Sequence, residues 1–136
     1  MDNNKITHME MIQGIINRMG GNSFSLKGWA VTLVAGIFAL ASKDTDKMYF
    51  LIAYVPVVVF WFLDAYYLLQ ERLYRALYNK VRIMKEEDID FDMNTNLPEI
   101  KSEKTVYSAC LFSKTELGFY VPLALLVAVI IILTYL

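Results

Sequence analysis

The sequence predicts an all-α integral membrane protein: an amphipathic N-terminal helix, then three transmembrane helices, the second extended into the cytoplasm. Composition points there first, since 57% of residues are hydrophobic, only 20% are charged, and mean hydropathy is +0.40. A soluble domain of 136 residues has too much surface to hide that much apolar side chain. Three apolar runs are the second observation: Leu26–Ser42, Met48–Gln70 and Leu117–Leu136. The third is patterning. A helix in a soluble bundle carries a polar stripe at 3.6-residue spacing; the last run has none, and the first has only Thr32 and its flanks.

Residues 1–21 form the first unit. Ile6, Met9, Ile12, Ile16 and Met19 recur near helical spacing, while Lys5, His8, Gln13 and Asn17 fall elsewhere. This predicts an amphipathic helix at the cytoplasmic leaflet or packed on a neighbour, with His8 facing solvent. Gly20-Gly21 is the expected stop, with Asn22 or Ser23 capping the next helix.

Residues 22–85 read as a transmembrane hairpin with a long helical extension. The first run is short for a core that needs roughly 20 helical residues, but Lys27 and Lys43 can snorkel at its ends. Pro56 in the second run predicts a kink. Past Gln70, LLQERLYRALYNKVRIMKEE keeps Leu69, Leu73, Ala76 or Leu77, and Val81 on one side and is rich in helix formers. Residues 86–116 form a cytoplasmic connector: EEDIDFD is acidic, MNTNLPE carries turn residues, and 101–116 is ambiguous between helix and strand. Residues 117–136 are the third span, with Pro122 expected in its first turn or two.

Lysine and arginine placement sets orientation. Three precede the first run (Lys5, Arg18, Lys27), two lie between the first and second (Lys43, Lys47), and eight lie between the second and third. The N-terminus and connector are therefore expected in the cytoplasm, with a tight external turn near Lys43–Lys47 and the C-terminus outside. Trp29, Tyr66, Tyr67, Tyr74 and Tyr78 cluster near the inner boundary, most simply as an interfacial belt, with a partner-facing role open to Tyr74 and Tyr78.

Several function classes are disfavoured. A net charge of −1 supplies no clustered basic excess for direct nucleic-acid binding. The single cysteine, Cys110, rules out an intrachain disulfide framework or cysteine zinc cluster, and is expected to be a small buried residue. No cofactor, metal or enzyme signature appears: there is no phosphate-binding glycine loop, no His/Glu zinc motif and no Ser–His pairing in context. The run Glu86–Asp92 lacks the spaced ligands and glycine of a calcium loop. The start MDNNKITHMEM does not read as a signal peptide.

Asp64 is the residue that demands an account. It lies six residues before Gln70, about 9 Å of helical rise inside the expected boundary, where an unpaired charge costs on the order of 2.5 kcal/mol at full depth. Three roles stand open: fixing helix packing and depth, lining a water-filled oligomeric pore, or relaying protons. A packing partner is expected near the cytoplasmic end of the first span, at Lys27 or Trp29. Glu71 and Arg75 are four apart in the favourable acid-first order. Thr32/Gly36, Ala35/Ala39 and Ala124/Ala128 are small-residue pairs that permit close helix approach, within the chain or between copies.

The stretch NSFSLKGWAVTLVAGIFALA, followed by PVVVFWFLDAYYLLQERLYRALYNKVR, resembles a set of small bacterial membrane proteins. In layout, across residues 6–85, the chain is similar to the SLATT superfamily: a preceding helix, a two-span hairpin, then a long cytoplasmic helix. The run Leu117–Leu136 lies outside that plan. The resemblance implies an oligomeric, membrane-permeabilising or depolarising effector of the bacterial inner membrane in antiviral defence, answering to a cytoplasmic trigger protein or signalling complex. It marks Lys27, Trp29, Asp64, Glu71, Arg72 and Arg75 as positions of interest, without catalytic roles. The lipid bilayer and further copies of the chain are the other expected partners. A non-conducting membrane anchor that recruits a cytoplasmic partner, and a holin-like phage lysis protein, are the rival readings.

Overall fold

The computed structural model describes residues 3–41 and 47–135. Its elements are helices and short 3₁₀ turns: α1 (Asn3–Ala41), a 3₁₀ segment (Lys47–Ala53), α2 (Tyr54–Arg82), α3 (Tyr107–Leu111) and α4 (Lys114–Tyr135), with single 3₁₀ turns in the connector. No strand occurs among the described residues. Three helical stretches are long and apolar enough to cross a membrane: Asn3–Ala41, Phe50–Arg82 and Lys114–Thr134. The turn expected near Lys43–Lys47 falls mostly on residues 42–46, outside the described ones.

Helix α1 corrects the expected stop at Gly20-Gly21. It runs unbroken through both glycines for 39 residues, about 58 Å. Glycine in a helix interior costs roughly 1 kcal/mol but does not forbid the helix, and here packing on both sides overrides it. The buried face explains this. His8, Ile12, Ile16, Ala30, Val34 and Ala41 are buried on α1, and Ser23 and Lys27 complete the same stripe by spacing. Steps of three, four and seven keep such a stripe turned toward one partner.

That partner is α2, which runs antiparallel to α1. At one end Ile12 and Ile16 pack with Leu77, Val81 and Ile100. Tyr74 and Tyr78 pack partly buried into this cluster, facing a partner within the chain. At the other end Ala30, Val34, Ala53 and Val57 form an apolar core with Tyr120, Leu123 and Val127 of α4. Alanine at the contact points lets the backbones approach closely.

His8 is also a correction. It is buried, not solvent-facing; its Nε2 lies 3.0 Å from the Asp92 carbonyl oxygen and its ring stands 5.5 Å from Phe91. The connector folding back over the start of α1 causes this. Glu86 secures that fold: its carboxylate accepts hydrogen bonds from the backbone N–H groups of Asn4 (3.0 Å) and Lys5 (3.1 Å). Free N–H groups and the helix dipole make a helix start a natural seat for an anion.

Of the three prolines, the two in the apolar runs, Pro56 and Pro122, need separate accounts. Pro56 falls in the first turn of α2, directly after the 3₁₀ segment Lys47–Ala53, so the irregularity expected of it lies where the 3₁₀ segment passes into the α-helix. Pro122 lies inside α4, because that helix begins at Lys114, earlier than the apolar run suggests. The carbonyl it leaves without a helical donor is that of Gly118.

Two measurements test this architecture in detergent micelles. Gly21→Ala, at a site with nothing within 4 Å of the added carbon, is expected to raise stability by ~0.5–1 kcal/mol, as helix-interior glycines do; a loss would mean α1 is broken there. Leu77→Ala is expected to cost ~2–5 kcal/mol and to speed amide exchange selectively across residues 5–18.

Candidate functional site: a buried charged layer where three helices meet

Between the apolar core and the Ile12–Leu77 cluster, the α1–α2 interface contains one polar layer. Its centre is Asp64, fully buried on α2. Lys27 Nζ lies 2.5 Å from Asp64 Oδ2 and donates to it, and donates also to Ser23 Oγ at 2.9 Å. Ser23 in turn donates to Asp64 Oδ1. From α4, the Tyr120 hydroxyl donates to Asp64 Oδ2 at 3.0 Å. One carboxylate thus receives donors from two neighbouring helices, which is what a buried charge requires.

A second carboxylate completes the layer. Glu116, fully buried near the start of α4, brings Oε1 to 3.7 Å from Lys27 Nζ. Among the described residues neither Glu116 carboxylate oxygen has a hydrogen-bond partner. The Phe119 ring covers the same ammonium, centroid 5.9 Å away, a distance at which the ring quadrupole still attracts it. Two acids therefore flank one lysine.

Local structure explains how Glu116 gets there. The short α3 is bolted to α2 by three contacts. Trp61 Nε1 donates to the Leu111 carbonyl at 2.9 Å, Tyr107 donates its hydroxyl proton to the Phe62 carbonyl at 2.7 Å, and Arg72 donates to the Lys104 carbonyl at 3.0 Å. Just past α3, the backbone N–H of Glu116 donates to Ser113 Oγ at 3.3 Å, which starts α4 against α2. The segment Ser113-Lys-Thr-Glu116 has the spacing of a capping box, but the glutamate turns inward to Lys27 instead of back to Ser113.

The positions marked in the sequence separate into groups. Lys27 and Asp64 meet. Trp29, named as another partner for Asp64, faces outward with Phe24, and together with Ser25, Gly28 and Thr32 they line a shallow outer groove. Glu71 Oε1 pairs with Arg75 Nη2 at 3.1 Å, one turn apart on a largely exposed surface, worth ~0.3–0.5 kcal/mol. Arg72 turns away from the charged layer to the connector, where it also approaches Cys110 Sγ at 3.7 Å. Thr32 bonds its own helix at the Gly28 carbonyl, 2.9 Å away, and Gly36 has nothing within 4 Å of where a Cβ would stand. Both lie on the exposed face of α1. Ala124 and Ala128 line an apolar groove of about 310 Å³ between α2 and α4, and Tyr54 donates to the Ala124 carbonyl at 3.3 Å.

Ser23, Glu116 and Tyr120 are the members that sequence reasoning missed. Ser23 was legible as one helical turn before Lys27 within SFSLK. Glu116 was concealed because the apolar run was started at Leu117, one residue too late, so a second carboxylate at bundle depth went uncounted. Cys110 is fully buried, and desolvation pushes its thiol above the ordinary cysteine range, outweighing the Arg72 guanidinium. No group of three or more metal-ligating His, Cys, Asp or Glu side chains occurs among the described residues.

Lys27→Met is expected to destabilise the bundle by ~3–5 kcal/mol, because it strands two buried carboxylates. Pairing it with Asp64→Leu is expected to recover much of that loss in a double-mutant cycle of unfolding in detergent; strict additivity would show that the pair is not coupled. Maleimide labelling of Cys110, followed by mass, is expected to be slow in the folded chain at pH 8 and complete on unfolding.

No family model, curated protein or solved structure matches this chain, so the chemistry of the charged layer is what a functional reading has to rest on.

Proposed function

We propose that this chain is an integral membrane effector that, when triggered, permeabilises or depolarises the bacterial inner membrane. Its N-terminus and connector lie in the cytoplasm and its C-terminus outside. The observation that carries this reading is the Lys27–Asp64–Glu116 cluster buried where three apolar helices meet. Ionisable side chains inside a membrane bundle are costly, and where they persist they mark ion pathways or movable elements. Here the cluster is a latch. In the single chain Asp64 points into its own bundle, so a pore lined by it needs Lys27 and Tyr120 to release it as helices rearrange in a homo-oligomer. The trigger acts through the α1–α2 extension and connector, whose surface exposes apolar side chains such as Ile6, Met11 and Ile83 among its charged ones. The setting in antiviral defence comes from the family resemblance.

A non-conducting anchor is the second reading. The tight docking of Ile12 and Ile16 on Leu77 and Val81 favours it, since a rigid extension suits the recruitment of a soluble partner.

Membrane-potential dyes in cells expressing the chain with its natural neighbours separate the two. Depolarisation is expected on triggering, and the latch variants Asp64→Asn and Lys27→Met, checked for membrane accumulation, are expected to depolarise untriggered cells. Unchanged potential in all three, with a stoichiometric soluble protein recovered by pull-down, would establish the anchor instead. Lysis that requires a co-expressed endolysin would identify a holin.

A further inference from the structure

The charged layer is one positive charge short. Asp64 and Glu116 are both fully buried, and Lys27 Nζ is the one ammonium between them, at 2.5 Å and 3.7 Å. The bonding is lopsided as well. Asp64 takes donors from Lys27, Ser23 and Tyr120, whereas both Glu116 oxygens lack a hydrogen-bond partner among the described residues. A fully buried carboxylate whose one ionic partner stands at 3.7 Å, and whose oxygens accept no hydrogen bond among the described residues, has room in its coordination for a further cation.

We propose that the side of this layer bounded by Glu116 binds one monovalent cation, sodium in the first instance, alongside Lys27. The donors are those a hard ion prefers: carboxylate oxygens of Glu116 and Asp64, with the hydroxyl oxygens of Tyr120 and Ser23 beside them. Charge selects the valence. Two carboxylates and one ammonium leave −1, which one sodium ion neutralises, whereas a divalent ion would leave a buried +1. Lys27 reaches the layer from a partly exposed position, its side chain 17% accessible, so its flexible stem can adjust when an ion enters. The site rests on the reading of the cluster as a latch: a bound ion would neutralise Glu116 and hold α4 against α1 and α2.

The test is thermal unfolding of the purified full-length chain in detergent, with sodium chloride exchanged for choline chloride at constant ionic strength and at several pH values. A saturable rise in Tm of roughly 5 °C with sodium is expected, as for a ligand held only by the folded state. Glu116→Gln should abolish the rise. Tyr120→Phe, which removes one oxygen and keeps the ring packing, should move the sodium midpoint several-fold upward. Lys27→Met should extend the response to calcium, because its site carries −2. An identical Tm in sodium and choline at every pH overturns the proposal, as does a sodium response that survives Glu116→Gln. Stabilisation by acid alone overturns it too, by showing that a proton balances the charge. A chain that depolarises membranes and ignores sodium loses only this site; one that binds sodium and never depolarises loses only the effector reading.

Discussion

Everything in this molecule is organised around one ion pair, Lys27 with Asp64. It sets register. A hairpin of two long apolar helices has many sliding positions of nearly equal burial, because one aliphatic contact resembles the next. A lysine and an aspartate that must meet select one of them, since any other leaves two buried charges uncompensated. With that layer in place, Ile16 falls level with the Leu77 region on one side, and Ala30 and Val34 join Val57 in the apolar core on the other. The pair stabilises less by its own attraction than by the penalty it attaches to every alternative.

The same pair governs the third helix. Tyr120 and Glu116 turn toward it from α4, so an otherwise featureless apolar helix acquires a defined rotation. Without such polar atoms α4 would have little to orient it: its apolar residues surround the axis, and many of them, such as Leu125, Leu126 and Leu133, remain exposed. That exterior is poorly suited to water and well suited to hydrocarbon. Through this half of the chain apolar side chains both fill the core and cover the outside, and the polar groups of the charged layer turn inward.

The connector is the piece that makes the layer possible. Arg72, Trp61 and Tyr107 hold the segment around α3 on α2, and this delivers the start of α4 beside Asp64. At the far end Glu86 caps α1 across 82 residues of chain. A segment without long regular structure thereby ties both ends of the hairpin. Disturbance of the connector would therefore be felt in the charged layer.

The sequence by itself determined the all-helical class, the three apolar stretches, the pairing of Glu71 with Arg75, and the need of Asp64 for a partner such as Lys27. These are properties of composition and of spacing along one helix, and both can be read from neighbours in the chain. Only the tertiary structure decided that α1 continues through Gly20-Gly21, that His8 is buried, that Tyr74 and Tyr78 face a partner within the chain, and that Glu116 and Tyr120 join Asp64. Each of those depends on a contact between distant segments: Ile12 with Leu77, Asp92 with His8, Ser23 with Asp64, Lys27 with Glu116. Local propensity is worth about 1 kcal/mol per glycine, and a docked apolar face or a compensated buried charge is worth more. Where the two conflict, the long-range contact prevails.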